Sequence, residues 1–113
     1  MSLKESKCEA CTIDAPIVSK SEAEALISEL DGWIIESISG IDQLIKVYKF
    51  SNYAESLDFS NKVAELAESE DHHPKIILEY GSVEVSWWSH KIKGLHKNDF
   101  ICAAKTDAML TVS

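Results

Sequence analysis

Apolar residues change period several times along this chain, and each change marks an element. Ala23, Leu26, Ile27 and Leu30 recur at helical spacing behind two overlapping Ser-x-x-Glu boxes, Ser19 with Glu22 and Ser21 with Glu24. They predict a short amphipathic helix ending near Asp31-Gly32. Trp33 to Ile38 and Gln43 to Phe50 are rich in aromatic and β-branched residues. Ser39-Gly40-Ile41-Asp42 reads as the turn between them, giving an antiparallel hairpin. Asn52 and Glu55 start a second helix over Tyr53 to Glu68, where Phe59, Val63 and Leu66 fall at i, i+4 and i+7, with Leu57, Ala64 and Ala67 alongside.

Period two returns at Lys75 to Tyr80 and again at Val83 to Trp88, with Gly81-Ser82 between them, so a second hairpin is predicted. Tyr80 reads as a core position on this alternation. After the loop Ser89 to Lys97, a last helix is expected from about Asn98 to Met109, with Phe100, Ile101, Ala104 and Ala108 as its apolar positions. The order is α-β-β-α-β-β-α. It predicts an α+β fold, a four-stranded antiparallel sheet with helices on one face. Residues 1 to 18 carry no period and read as a flexible leader, and 19 to 113 as a single domain.

Composition narrows the classes. The 113 residues are 45% hydrophobic and 27% charged, ordinary for a globular domain. No apolar run approaches the roughly 20 residues of a membrane span, and no signal-peptide core is present, so a cytoplasmic protein is expected. A formal charge of -8 argues against a nucleic-acid partner, since phosphate binding needs clustered Lys and Arg. Cys8 and Cys11 form one CxxC, with Cys102 far away. That is half a zinc site, and no role follows for the pair.

The candidate chemistry sits at Glu68-Ser69-Glu70-Asp71-His72-His73-Pro74. Histidine gives and takes protons near neutral pH, and this chain places two of its four histidines together. His-His-Pro can serve simply as a helix stop. Pro74 ends the helix and biases His73 towards an extended conformation. However, His73 precedes the second hairpin and His90 follows it. Neighbouring strands lie about 4.8 Å apart, so the hairpin should return His90 beside His72 and His73. Asp99 then falls in the first turn of the last helix, where a carboxylate suits the helix dipole. Of Trp87 and Trp88, one belongs to the core, and the other can form an apolar wall for a flat ligand. Three histidines and a carboxylate could hold zinc. Adjacent side chains of an extended segment diverge, however, so a metal-free acid–base site is the better reading.

Glu68, His72-His73-Pro74, Tyr80, His90 and Asp99, at these spacings, resemble the signature of the pterin-4a-carbinolamine dehydratases. Gly32-Trp33, Lys46 to Phe50 and Val63 to Glu68 resemble that family too, over about Val18 to Asp107. The leader CxxC and Trp87-Trp88-Ser89-His90 are similar to bacterial members. Many relatives carry Thr where Ser89 stands, which keeps the hydroxyl, and Ser or Thr where His96 stands. His96 therefore reads as a local loop or cap residue.

The resemblance implies a 4a-hydroxytetrahydropterin dehydratase that yields quinonoid dihydropterin in tetrahydropterin recycling, with pterin as substrate and no cofactor. It implies His72 and His90 as the acid–base pair and His73 as a pterin contact. Glu68, Asp71, Pro74, Trp88 and Ser89 would line the substrate, with Asp99 orienting His90 or anchoring the last helix. A homodimer or homotetramer and a functional link to an aromatic amino-acid hydroxylase are also implied. The alternative from the same family is a protein-binding regulatory role through the exposed face of the Tyr53 to Glu68 helix.

Overall fold

Local caps set where the first two helices start. The Ser19 hydroxyl accepts the Glu22 N–H at 3.1 Å, so the first of the two overlapping boxes starts helix α1, Lys20–Ile27. Asn52 caps α2, Tyr53–Glu70, by accepting the Glu55 N–H at 2.8 Å. The computed structural model describes residues 18–89 and 93–111. The leader cysteines Cys8 and Cys11 and the expected catalytic His90 lie outside the described residues.

The strands are β1 Ile34–Ile38, β2 Ile41–Lys49, β3 Lys75–Glu79 and β4 Ser82–Trp87, followed by α3 Lys97–Ala108 and a short 3₁₀ turn, Met109–Thr111. The order is α-β-β-α-β-β-α, as expected, and the strands form one antiparallel sheet in the order β1-β2-β4-β3. The first turn is tighter than the sequence suggested. Ser39 and Gly40 alone make it, both with positive φ (54° and 81°), which matches the right-handed twist of the flanking strands. Ile41 and Asp42 already belong to β2. In the second hairpin Glu79 pairs with Ser82, so Tyr80 and Gly81 form the turn. Tyr80 is therefore not core: it is 73% exposed, because a turn residue leaves the strand alternation.

One face of the sheet, with Leu44, Tyr48, Val83, Val85 and Trp87, packs on Phe59, Val63 and Ala67 of α2 and on Phe100, Cys102 and Ala103 of α3. Ile34, Val47 and Ile77 are exposed. Each fully buried apolar side chain contributes about 1.5–3 kcal/mol. Of the α3 apolar positions read from sequence, Phe100 and Ile101 are buried as expected, and further residues join them. Asp99, Cys102, Ala103 and Thr106 are fully buried, whereas Ala104 and Ala108 are half-buried. A helix stripe at i, i+3, i+4 and i+7 is still present, but two of its four members are polar.

A polar hub ties the C-terminal end of α3 to the first hairpin. Asp107 accepts from Trp33 Nε1 at 3.1 Å, from Lys46 Nζ at 2.9 Å and from Tyr48 Oη at 2.5 Å. Lys46 also reaches the Asp31 carbonyl at 2.9 Å. Gly32 leaves it room: a Cβ there would stand 3.1 Å from Lys46 Cε, on a backbone with φ +84°. Burial, then the hydrogen bond to Asp107 and its charge, push the Tyr48 phenol far above its usual range. Unfolded, this tyrosine ionises near pH 10, while folded it keeps its proton. Raising pH through about 10 therefore favours the unfolded state. Urea midpoints of the native protein should fall in this window, and those of Tyr48→Phe should fall less steeply. Identical slopes in the two proteins would contradict the assignment.

Candidate active site

The corner between α2 and β3 is built by a left-handed residue. Asp71 has φ 51° and ψ 41°, a conformation that Asp tolerates better than most residues. The His72 N–H then bonds to the Ala67 carbonyl at 3.1 Å, and the Asp71 N–H to the Glu68 carbonyl at 3.4 Å. This is a Schellman closure. The helix runs to Glu70, two residues past Glu68, and stops on Asp71, three residues before Pro74. Lys105 of α3 bonds to Glu70 at 2.9 Å and fixes this corner to α3.

The closure turns His72 inward, to 4% exposure. Its Nε2 lies 2.6 Å from Asp99 Oδ1, and its ring stacks on Trp87 with centroids 5.5 Å apart and planes at 17°. Asp99 is fully buried. Its second oxygen accepts from Ser89 Oγ and from the His96 N–H, both at 2.9 Å. An ionised carboxylate only accepts hydrogen bonds, so the proton of the His72–Asp99 contact belongs to Nε2. The helix N-terminus adds its dipole to the carboxylate.

The hairpin explains why residues this far apart meet. Lys75 pairs with Ser86, and the same register carried three residues outward sets His72 against Ser89. Both side chains close on Asp99 from the start of α3. His96 is the cap of that helix: its Nδ1 accepts the Asn98 N–H at 3.0 Å while its own N–H bonds to Asp99. The box has the form of the Ser-x-x-Glu cap, with an imidazole in place of the hydroxyl.

His73 takes the opposite side of the corner. It is 57% exposed, and its Nε2 lies 3.2 Å from Glu68 Oε2. The divergence expected of adjacent residues in an extended segment is thus present. Asp71 is exposed and serves through its backbone, Pro74 is half-buried, and Trp88 is half-buried while Trp87 is the core member of the pair. Among the described residues no group of three or more His, Cys, Asp or Glu is arranged to hold a metal ion. Sequence reasoning gave Asp99 to His90 or to the helix; the structure places it against His72, as well as in the helix cap. It also missed the stacking of Trp87 on His72. Only the separation of Trp87 from the histidines, a few residues across a predicted hairpin, could have signalled it.

Fold and site together define a small α+β protein with a buried histidine–carboxylate pair and an exposed histidine at one sheet end. The chain belongs to the pterin 4 alpha carbinolamine dehydratase family, whose profile matches residues 16–109. It is 58% identical over 108 residues to a Vibrio vulnificus protein named "Putative pterin-4-alpha-carbinolamine dehydratase", covering 96% of this chain and 98% of that one. A Saccharophagus degradans protein of the same name is 55% identical over 107 residues, with 95% of each chain covered. Among solved structures, a transcriptional coactivator/pterin dehydratase from Brucella melitensis superposes with a TM-score of 0.75 at 28% identity, over 83% of this chain and 98% of that one.

Proposed function

We propose that this protein dehydrates 4a-hydroxytetrahydropterins to quinonoid dihydropterins, with His72 and His90 as the acid–base pair. The observation that carries this reading is the buried His72–Asp99 pair at 2.6 Å, at the end of the chain segment whose spacing matches the family. The reaction breaks the C4a–O bond. The departing hydroxyl takes a proton and leaves as water, while a ring N–H gives up its proton as the C=N bond forms. Acid and base are both needed on one flat heterocycle, and each contributes about 10²–10⁴-fold when well placed.

Asp99 prepares His72 for this task by holding its ring through Nε2. His73 would hydrogen-bond the pterin, a role its exposure beside Glu68 supports, and Glu68, Asp71, Pro74, Trp88 and Ser89 would line the substrate. Purified protein should accelerate breakdown of 4a-carbinolamine above the spontaneous rate, which must be subtracted. His72→Ala and His90→Ala should each lower kcat by about 10²-fold or more, with far-UV circular dichroism retained. Near-full activity in both variants would sink the assignment. Activity lost to a chelator and restored by zinc would replace the acid–base reading with a metal-centred one.

A further inference from the structure

One helix holds the His72 ring in two ways. Asp99, at the start of α3, fixes the ring edge through Nε2, and Trp87 covers the ring face. Trp87 is in turn pinned by the same helix: its Nε1–H donates to Thr106 Oγ1 at 3.0 Å. Thr106 follows Asp99 by seven residues, two turns along one face and about 10 Å away, and both are fully buried.

The polarity of this pin is set by the helix itself. The Thr106 hydroxyl donates its only proton to the Cys102 carbonyl at 2.7 Å, four residues back. What remains on that oxygen is acceptor capacity, which the indole N–H meets. A bulky ring with a single donor is thereby held in one rotation about its axis, and the face it turns to His72 is fixed.

We propose that Thr106 and Trp87 form a remote clamp that positions His72 for proton transfer. Neither residue touches the reacting atoms. Each acts through the His72 ring, Thr106 by orienting the indole and the indole by forbidding the imidazole to tilt out of line with Asp99. For its catalytic consequence the clamp rests on the proposed role of His72. As a restraint on the ring it stands on geometry alone.

The test reads the ring directly. Nitrogen-15 correlation spectra of the imidazoles should show His72 in the native protein in a single form with Nε2 protonated. Thr106→Val keeps the side-chain shape and removes the acceptor. It should mix or broaden the His72 signals and lower kcat about tenfold with KM within about twofold, as a misplaced catalytic group does. Thr106→Ser should restore both. Trp87→Phe, which keeps an aromatic face but has no N–H, should disturb the same signals, and it serves if the valine variant does not fold. Unaltered His72 signals in a folded Thr106→Val or Trp87→Phe protein would overturn the clamp whatever the activity. Altered signals restored by serine would establish it even in a protein without dehydratase activity, a result that would count against the proposed function instead.

Discussion

Asp99→Asn should lower the dehydratase kcat by about 10²–10⁴-fold, with a much smaller effect on KM. The two side chains have the same shape, so the cost arises from hydrogen-bond polarity. Asp99 accepts from His72 Nε2, Ser89 Oγ and the His96 N–H. An asparagine offers one accepting oxygen and one donating NH₂. If the NH₂ faces His72, Nε2 must accept instead of donate, so the ring's proton has to leave that nitrogen. If it faces Ser89 and His96, a buried main-chain N–H is left unmatched, at about 1–3 kcal/mol. Either arrangement damages the site, and only the first reverses the imidazole. Steady-state kinetics with thermal melts decides the matter: a stable Asp99→Asn protein within about threefold of native kcat would refute the polarity argument.

Asp107→Ala should be strongly destabilising although it lies away from the site. It removes the common acceptor of Trp33 Nε1, Tyr48 Oη and Lys46 Nζ. Trp33 and Tyr48 are buried, and each donor left unpaired costs about 1–3 kcal/mol. Lys46 keeps the Asp31 carbonyl and adds less. A loss of about 2–5 kcal/mol is therefore expected, a large part of the about 5–15 kcal/mol that stabilises a typical domain. In a chain this size it should appear as a fall in Tm on the order of 10–20 °C. Since the hub lies at the far end of α3 from Asp99, kcat measured well below Tm should not change. An equally large loss of kcat would mean that the two ends of α3 are coupled and that the hub reaches the site.

The fold was legible because the signals that define it are local. Ser19 and Asn52 announce α1 and α2 within three residues, since a cap is a hydrogen bond to the next turn. Aromatic and β-branched runs around Ser39-Gly40 gave the first hairpin, and period-two runs around Gly81 gave the second. Where the reading slipped, the cause was also local. Tyr80 continued an alternation that the two-residue turn had already ended, and Asp71 stopped a helix through its own left-handed backbone before Pro74 could.

The site was legible in part. The hairpin register that sets His72 against Ser89 follows from strand lengths, so the sequence could bring the two chain ends together. It could not say which face of α3 would turn towards them. That rotation is fixed by Phe100, Cys102 and Ala103 packing on the sheet. The packing carries Asp99 and Thr106 inward along with the apolar residues, so buried polar groups look like surface ones in the pattern.

The sequence by itself determined the order of elements, the hairpin that brings the His72 and Ser89 ends together and the residue types present there. Each of these depends on interactions between near neighbours or on the counting of residues through a hairpin. Tertiary structure alone decided the partners: Asp99 with His72 across 27 residues, Trp87 with Thr106 across 19, and Asp107 with Trp33 across 74. Those pairs depend on how a helix rolls against a sheet. Shape and close packing of the core set that roll, and no periodicity along the chain encodes it.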